Sequence, residues 1–284
     1  MLKSLLQIAL FSILPNAVTS QVHFDSKAEN AMNSGFTEDL RSDINSVYAV
    51  GKGFLESTFH FTSEDLIQTG FVVSAIAVSF TLDNSVRAGV GKTHSRSMDS
   101  FIAVGEKFGN LRYAAALTGV LYFGGHLVGN SETRETGLIL FETLLLNAFV
   151  TEGLKIALGR SRPYVNEGHA EILELGFNGE NHSIPSGHTS TAFAIATVLS
   201  RRIENSYASI GLYSLACLTA YQRIYTDRHW VSDAVLGAAL GIGIGLKVIE
   251  LHSQHTSEQS MKRTLRIFPH ASSLGYGLGF SLAF

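Results

Sequence analysis

Apolar and polar stretches alternate along this chain in long blocks. Six apolar runs stand out, over residues 66–82, 111–128, 137–158, 189–200, 207–221 and 231–249. Runs of this length predict α-helices. Asp83 closes the first, and residues 84–110 turn polar, with Arg87, Lys92, Arg96, Glu106 and Lys107. Residues 21–64 are mixed apart from an apolar patch at 47–55, which predicts an N-terminal arm with one or two short surface helices. No convincing strand precedes the C-terminal tail. The fold class is therefore all-α, a bundle of about six helices. In the tail, Leu274, Tyr276, Leu278, Phe280, Leu282 and Phe284 alternate with small residues. That is a strand pattern, which a hairpin with residues 264–268 would accommodate.

Whether the helices lie in lipid depends on length and polarity. A full span needs about 20 apolar residues, and several runs are shorter. They also carry Gln68, His126, Glu142 and Asn147. Glu142 is costly against lipid but tolerable toward the bundle interior. Composition tips the balance. Hydrophobic residues make up 45% and charged residues 16%, below the ~25% of soluble domains. The mean hydropathy is +0.19. Membrane embedding is expected, with a soluble helical core as the alternative. Gly237, Gly241 and Gly245 repeat every fourth residue, a spacing that brings helices close.

Lys3, an apolar stretch at 5–14, Pro15 and small residues at 17–20 resemble an export signal cleaved after Ser20. An uncleaved anchor is the alternative. The expected organisation is a signal peptide at 1–20, a polar arm at 21–64, a helical domain at 65–250 and a tail at 251–284. The formal net charge of −3 gives no sign of a nucleic-acid partner. Cys217 is the one cysteine. It has no intramolecular partner and is expected as a small core residue.

Three short pieces carry chemistry. Six residues separate Lys155 from Arg162-Pro163, Pro185-Ser186-Gly187-His188 follows, and then Arg223, His229 and Asp233 are spaced by five and three residues. On a helix, Asp233 shares a face with His229. A carboxylate there can accept one ring N–H, which leaves the other nitrogen free as a nucleophile. Ser186 can cap the following helix, and Gly187 lets backbone approach a ligand. Free N–H groups at a helix start suit an anion. Arg162 and Arg223 can fork onto phosphate oxygens, and Lys155 adds a point charge. His188 can donate a proton to a leaving oxygen. Each piece alone has a structural explanation, Lys155 for instance pairing with Glu152. Together they point to phosphate chemistry.

On these residues the chain resembles the type 2 phosphatidic acid phosphatase superfamily, which includes lipid phosphate phosphatases, bacterial acid phosphatases and vanadium haloperoxidases. The family pattern is Lys-x6-Arg-Pro, Pro-Ser-Gly-His, then Ser-Arg-x5-His-x3-Asp. The match covers roughly residues 137–250. Gln222 stands where the serine before Arg223 is usual. The resemblance implies His229 as nucleophile, forming a phosphohistidine, with Asp233 orienting it and His188 protonating the leaving alcohol. Lys155, Arg162, Ser186, Gly187 and Arg223 would hold the phosphate, with no metal or other cofactor. The expected activity is hydrolysis of a lipid phosphate or diphosphate at the cell envelope, from the inner membrane with the site facing the periplasm. Alternatives are a soluble periplasmic acid phosphatase, more distantly a haloperoxidase, and a catalytically silent membrane protein. Residues 164–184 would form either a rim over the site or a solvated connector.

Overall fold

A computed structural model describes the backbone over residues 26–58, 62–171, 180, 182–272 and 275–282, and side chains from residue 37 to residue 259 within those segments. The expected signal peptide lies outside the described residues, as do Leu173, Glu174, Leu175 and Phe177 of the connector. Two compact units are present, residues 1–42 and 43–284. In the first, the described residues belong to the opening half of a helix. The second contains everything considered below.

Eight α-helices are described. They are α1 (Ser26–Ser57), α2 (Ser63–Val90), α3 (Arg96–Gly109), α4 (Leu111–Leu127), α5 (Ser131–Leu158), α6 (Gly187–Ile203), α7 (Ser206–Tyr225) and α8 (Val231–Thr264). All six apolar runs are helical. The sequence reading was short at the polar ends. No Gly or Pro follows Asp83 before Gly89, so α2 continues through Asp83 to Val90. The arm holds one 32-residue helix, α1, instead of short pieces. The polar stretch 96–109 folds as an amphipathic helix, α3.

Helix starts follow capping chemistry. Thr62 and Asp65 form a reciprocal capping box at α2. Asn110, Asn130, Ser186 and Asn205 each accept from a backbone N–H in the first turn of the helix that follows. Gly159 ends α5 in the left-handed region at φ 50°, where glycine costs least.

Helix α6 is the central pillar. From Thr189 to Val198 every residue is buried, and α6 packs against α5, α7 and α8. Close approach needs small residues. A Cβ on Gly237 would stand 2.6 Å from the Ser186 carbonyl oxygen, and one on Gly241 would stand 2.8 Å from the Ala194 nitrogen. The α6–α8 contact thus explains the fourfold glycine spacing. Gly243 faces open space. Ile139, Leu140, Leu144, Ile195, Val198, Ile244 and Val248 fill the main core.

The outside of the bundle is apolar. Helical stretches Asp65–Thr93, Ser131–Leu158 and Val231–Gln259 are long and apolar enough to cross a bilayer. Only 6% of the most apolar window of the first is buried within the protein, and Leu66, Ile67, Phe71, Val73 and Val78 are exposed. So contiguous an apolar face is rare in water and suits lipid. Cys217, expected in the core, is exposed instead. It sits one residue from buried Ala216, on the outward side of α7. Glu142 points inward and is buried. It accepts from Ser46 Oγ at 2.8 Å and lies 2.8 Å from His252 Nδ1.

The tail forms the hairpin its alternation suggests. Strands β1 (Leu265–Ser272) and β2 (Gly275–Leu282) pair antiparallel, with Leu265 opposite Leu282 and Ser272 opposite Gly275. Helix α8 runs past residue 249 to Thr264, directly into β1.

Candidate active site

The three sequence motifs meet at one end of the bundle. Lys155 is in the last turn of α5, Ser186 caps α6, Arg223 is in the last turn of α7, and Asp233 is in the first turn of α8. Arg162 and His229 come from the α5–α6 and α7–α8 connections. All eight sequence-predicted site residues are therefore brought together.

His229 is 4% exposed. Its Nδ1 lies 2.7 Å from the Ser183 carbonyl oxygen. A carbonyl only accepts, so Nδ1 carries the proton and the Nε2 lone pair is free. The sequence assigned this orienting bond to Asp233, but the carboxylate stands 3.6 Å away. Asp233 instead acts one step back. Its Oδ2 accepts from Ser183 Oγ at 2.5 Å and from the Trp230 backbone N–H at 2.9 Å. It therefore ties down both the segment that offers the carbonyl and the residue after His229.

Behind Asp233 lies a network that the motifs did not reveal. Arg160 is 1% exposed. Its guanidinium donates to Asp233 Oδ1 at 2.5 Å, to Asp83 Oδ2 at 2.6 Å, to Ser232 Oγ at 2.7 Å and to the His169 carbonyl. Asp83 also accepts the Ser232 N–H and O–H. Phe80 and Trp230 cover the guanidinium at 4.9 and 5.5 Å. Two carboxylates and one arginine, all buried, thus join α2, the connector and α8.

The cations are distributed differently. Lys155 donates to Glu152 at 2.5 Å, as its spacing allowed. Its Nζ would also lie 3.1 Å from a Cβ on Gly187, so glycine leaves room for the ammonium beside the helix start. Arg162 makes a long bond, 3.3 Å, to the His182 carbonyl. Arg223 makes a longer one, 3.4 Å, to Gln222 Oε1, so the glutamine steadies the arginine. The Nε atoms of Arg162 and Arg223 are buried with no hydrogen-bond partner, a costly state. Ser186 Oγ accepts from Thr189, which leaves its own hydrogen to donate.

Burial and crowding among cations shape the titrations. Desolvation lowers Arg162, with Arg228 adding to the effect. Desolvation and then Arg162 pull Arg223 down to about 10. His188 stands ahead of the apolar stretch of α6. Burial first, then Arg223, His229, Lys155 and Arg162, push it down to about 3. Burial outweighs Asp233 and holds His229 down at about 4. The site therefore holds neutral imidazoles among positive charges, an arrangement that an anion would relieve.

An unfolded histidine titrates near 6.5 while the folded ring does not until about 4, so the folded state loses stability as pH falls through that interval. The thermal midpoint in detergent is expected to drop more between pH 7 and 4.5 for wild type than for His229→Gln. Parallel drops would contradict this.

Residues 136–257 match the profile described as PAP2 superfamily. This part of the chain is similar to that superfamily. Among curated relatives, a Lipid A 1-phosphatase of Porphyromonas gingivalis is 30% identical over 183 residues, 61% of this chain and 36% of that protein. A Lipid A 4'-phosphatase of the same organism is 25% identical over 118 residues, 41% of this chain and 50% of that protein. The chain thus spans half or less of the length of these two relatives. Among solved structures, Aquifex aeolicus LpxE aligns at TM-score 0.50 and 25% identity, over 60% of this chain and 95% of that one. A transmembrane PAP2 type phosphatidylglycerolphosphate phosphatase of Bacillus subtilis aligns at TM-score 0.53 and 18% identity, over 66% and 96%. That second likeness concerns the fold.

Proposed function

We propose that the protein is a membrane phosphatase that hydrolyses a lipid phosphate or lipid diphosphate through a phosphohistidine on His229. One observation carries this reading. Two buried guanidinium groups with unsatisfied N–H donors stand beside a histidine whose Nε2 is free. A phosphate would supply the missing acceptors and the missing negative charge.

The chemistry follows from the geometry. Arg162, Arg223, Lys155 and the Ser186–Gly187 helix start hold the phosphate oxygens. Nε2 of His229 attacks phosphorus, a P–N bond forms, and the P–O bond to the alcohol breaks. His188 gives its proton to the departing oxygen. Burial and the neighbouring cations alone make His188 resist protonation. A bound phosphate, with a charge of roughly −1.5 to −2 at pH 7, offsets the neighbouring cations and lets the ring keep a proton. Water then attacks phosphorus, gives a proton to His188, and breaks the P–N bond. The Ser183 carbonyl, held by Asp233, stabilises the imidazole through both steps.

Lipid as substrate is supported by the exposed apolar faces of the bundle and by the lipid phosphatase names of the relatives. The test is phosphate release by detergent-purified protein from phosphatidic acid, a prenyl diphosphate, a phosphorylated glucosamine lipid and p-nitrophenyl phosphate. Remote binding energy raises turnover as well as affinity, so at least one lipid is expected to exceed the soluble ester by about tenfold or more in kcat/KM. Equal rates would favour the soluble acid phosphatase. Orthovanadate, which can adopt the five-coordinate geometry of phosphoryl transfer, is expected to inhibit strongly. Chelators are expected to have no effect, because arginine and lysine neutralise the phosphate charge. Activity lost in EDTA and restored by magnesium would contradict this.

We infer that the site faces the outer side of the inner membrane. With α2, α4, α5, α6, α7 and α8 as six spans, the α5–α6 and α7–α8 connections then lie opposite the residues that precede α2, which start on the inner side rather than following a cleaved signal. Exposed Glu167 gives a probe. With Cys217→Ser in place, Glu167→Cys is expected to react with a membrane-impermeant maleimide once the outer membrane is permeabilised. Labelling only after the inner membrane is broken would reverse the orientation.

A further inference from the structure

One cation beside the site has no task in the mechanism above. Arg228 immediately precedes His229, and its backbone N–H donates to the Arg223 carbonyl at 3.1 Å. Its side chain is exposed, and the guanidinium lies 5.3 Å from the centroid of the Tyr164 ring. Tyr164 follows Arg162-Pro163 in a short 3₁₀ turn and is itself 37% exposed. Arg228 and Tyr164 are therefore tied to the segments that carry the two phosphate-facing arginines, and both are exposed.

Several carboxylates nearby are taken. Asp227 is bound by Arg87 at 2.6 and 2.7 Å. Glu152 holds Lys155, and Glu167 accepts from Ser161. Glu106 acts on Arg223 only through space. Among the described residues, none of these acids forms an ion pair with Arg162, Arg223 or Arg228. Three guanidinium charges thus converge where one phosphate brings about two negative charges. Arg228 is also close enough to make both Arg162 and Arg223 harder to keep charged. Unless something compensates it, this third charge opposes the site.

We propose that Arg228, stacked on Tyr164, forms a second anion subsite that takes a further phosphate carried by the same lipid. The proposal rests on the phosphatase reading and narrows its substrate class to lipids with two phosphates. The second phosphate has two possible sources. It is either the inner phosphate of a lipid diphosphate, or a separate phosphate elsewhere on a bisphosphorylated lipid. In both cases an arginine stacked on an aromatic ring presents its remaining N–H groups in a plane suited to phosphate oxygens.

The test uses two substrate pairs with the purified full chain. One pair is a prenyl monophosphate and the diphosphate of the same prenyl chain. The other is a glucosamine disaccharide lipid with one phosphate and the same lipid with two. Wild type is expected to show a KM lower by about three- to tenfold for the two-phosphate member of at least one pair, the size of one exposed charge-assisted contact. The pair that responds identifies the source. Arg228→Ala is expected to collapse that KM ratio toward one with little change in the kcat ratio, and Arg228→Lys to retain part of it. Ratios that are the same in wild type and Arg228→Ala, with phosphate released from every lipid, overturn the subsite alone. Release from none of the four overturns the phosphatase reading and the subsite together. Tyr164→Leu gives an independent check, since losing the stacking partner is expected to shrink the same ratio.

Discussion

His229→Ala is expected to abolish phosphate release while leaving the fold intact. Residues that act as a unit fail together when one is lost, and removing a nucleophile can cost roughly 10⁴–10⁶ in rate. The structural cost is small. The ring donates one hydrogen bond, from Nδ1 to the Ser183 carbonyl, and Asp233 keeps its bonds to Arg160, Ser183 and Trp230 without it. The measurement is single-turnover release from the best lipid substrate, beside a thermal melt. A folded His229→Ala protein with turnover near wild type would remove His229 from the chemistry.

Arg160→Ala is expected to have the largest effect on stability. Arg160 is the only cation that hydrogen-bonds Asp83 and Asp233 among the described residues, and both carboxylates are essentially without solvent access. Removing one partner of a buried ion pair typically costs about 3–5 kcal/mol. Here two carboxylates would lose their counter-charge at once. The substitution also frees the α2–α8 junction, where Asp83 holds the Ser232 N–H and O–H. A thermal midpoint far below wild type in the same detergent is expected. Asp83→Asn, which keeps the shape and several hydrogen bonds, is expected to lose less. A midpoint for Arg160→Ala within a degree or two of wild type would mean that the network contributes nothing net.

The catalytic end of the molecule was largely legible because its signal is local. Lys155 and Arg162, Ser186 to His188, and Arg223 to Asp233 each lie within one short segment, so spacing alone implies their geometry. The supports behind them were not legible. Asp83 lies 77 positions before Arg160, and its only local sign was an acid at the end of an apolar run. Because polar residues follow, the sequence pattern alone makes it look like a terminator. An acid on an apolar helix needs a partner, and that principle could have raised Asp83 as a question. The partner of His229 was harder still. It is the backbone carbonyl of Ser183, which has no side-chain signature. Cys217 was misplaced for a related reason: in a lipid-facing helix apolar character marks the outside as well as the core, so hydropathy does not separate the two.

The central claim is a covalent bond between phosphorus and His229. Its most direct test is acid-free quenching of the protein with a lipid substrate labelled on the transferred phosphate, followed by peptide mapping. An alkali-stable, acid-labile label is expected on the peptide containing His229, and none in His229→Gln. Turnover by wild type with no label on His229 under conditions that preserve phosphohistidine would contradict it.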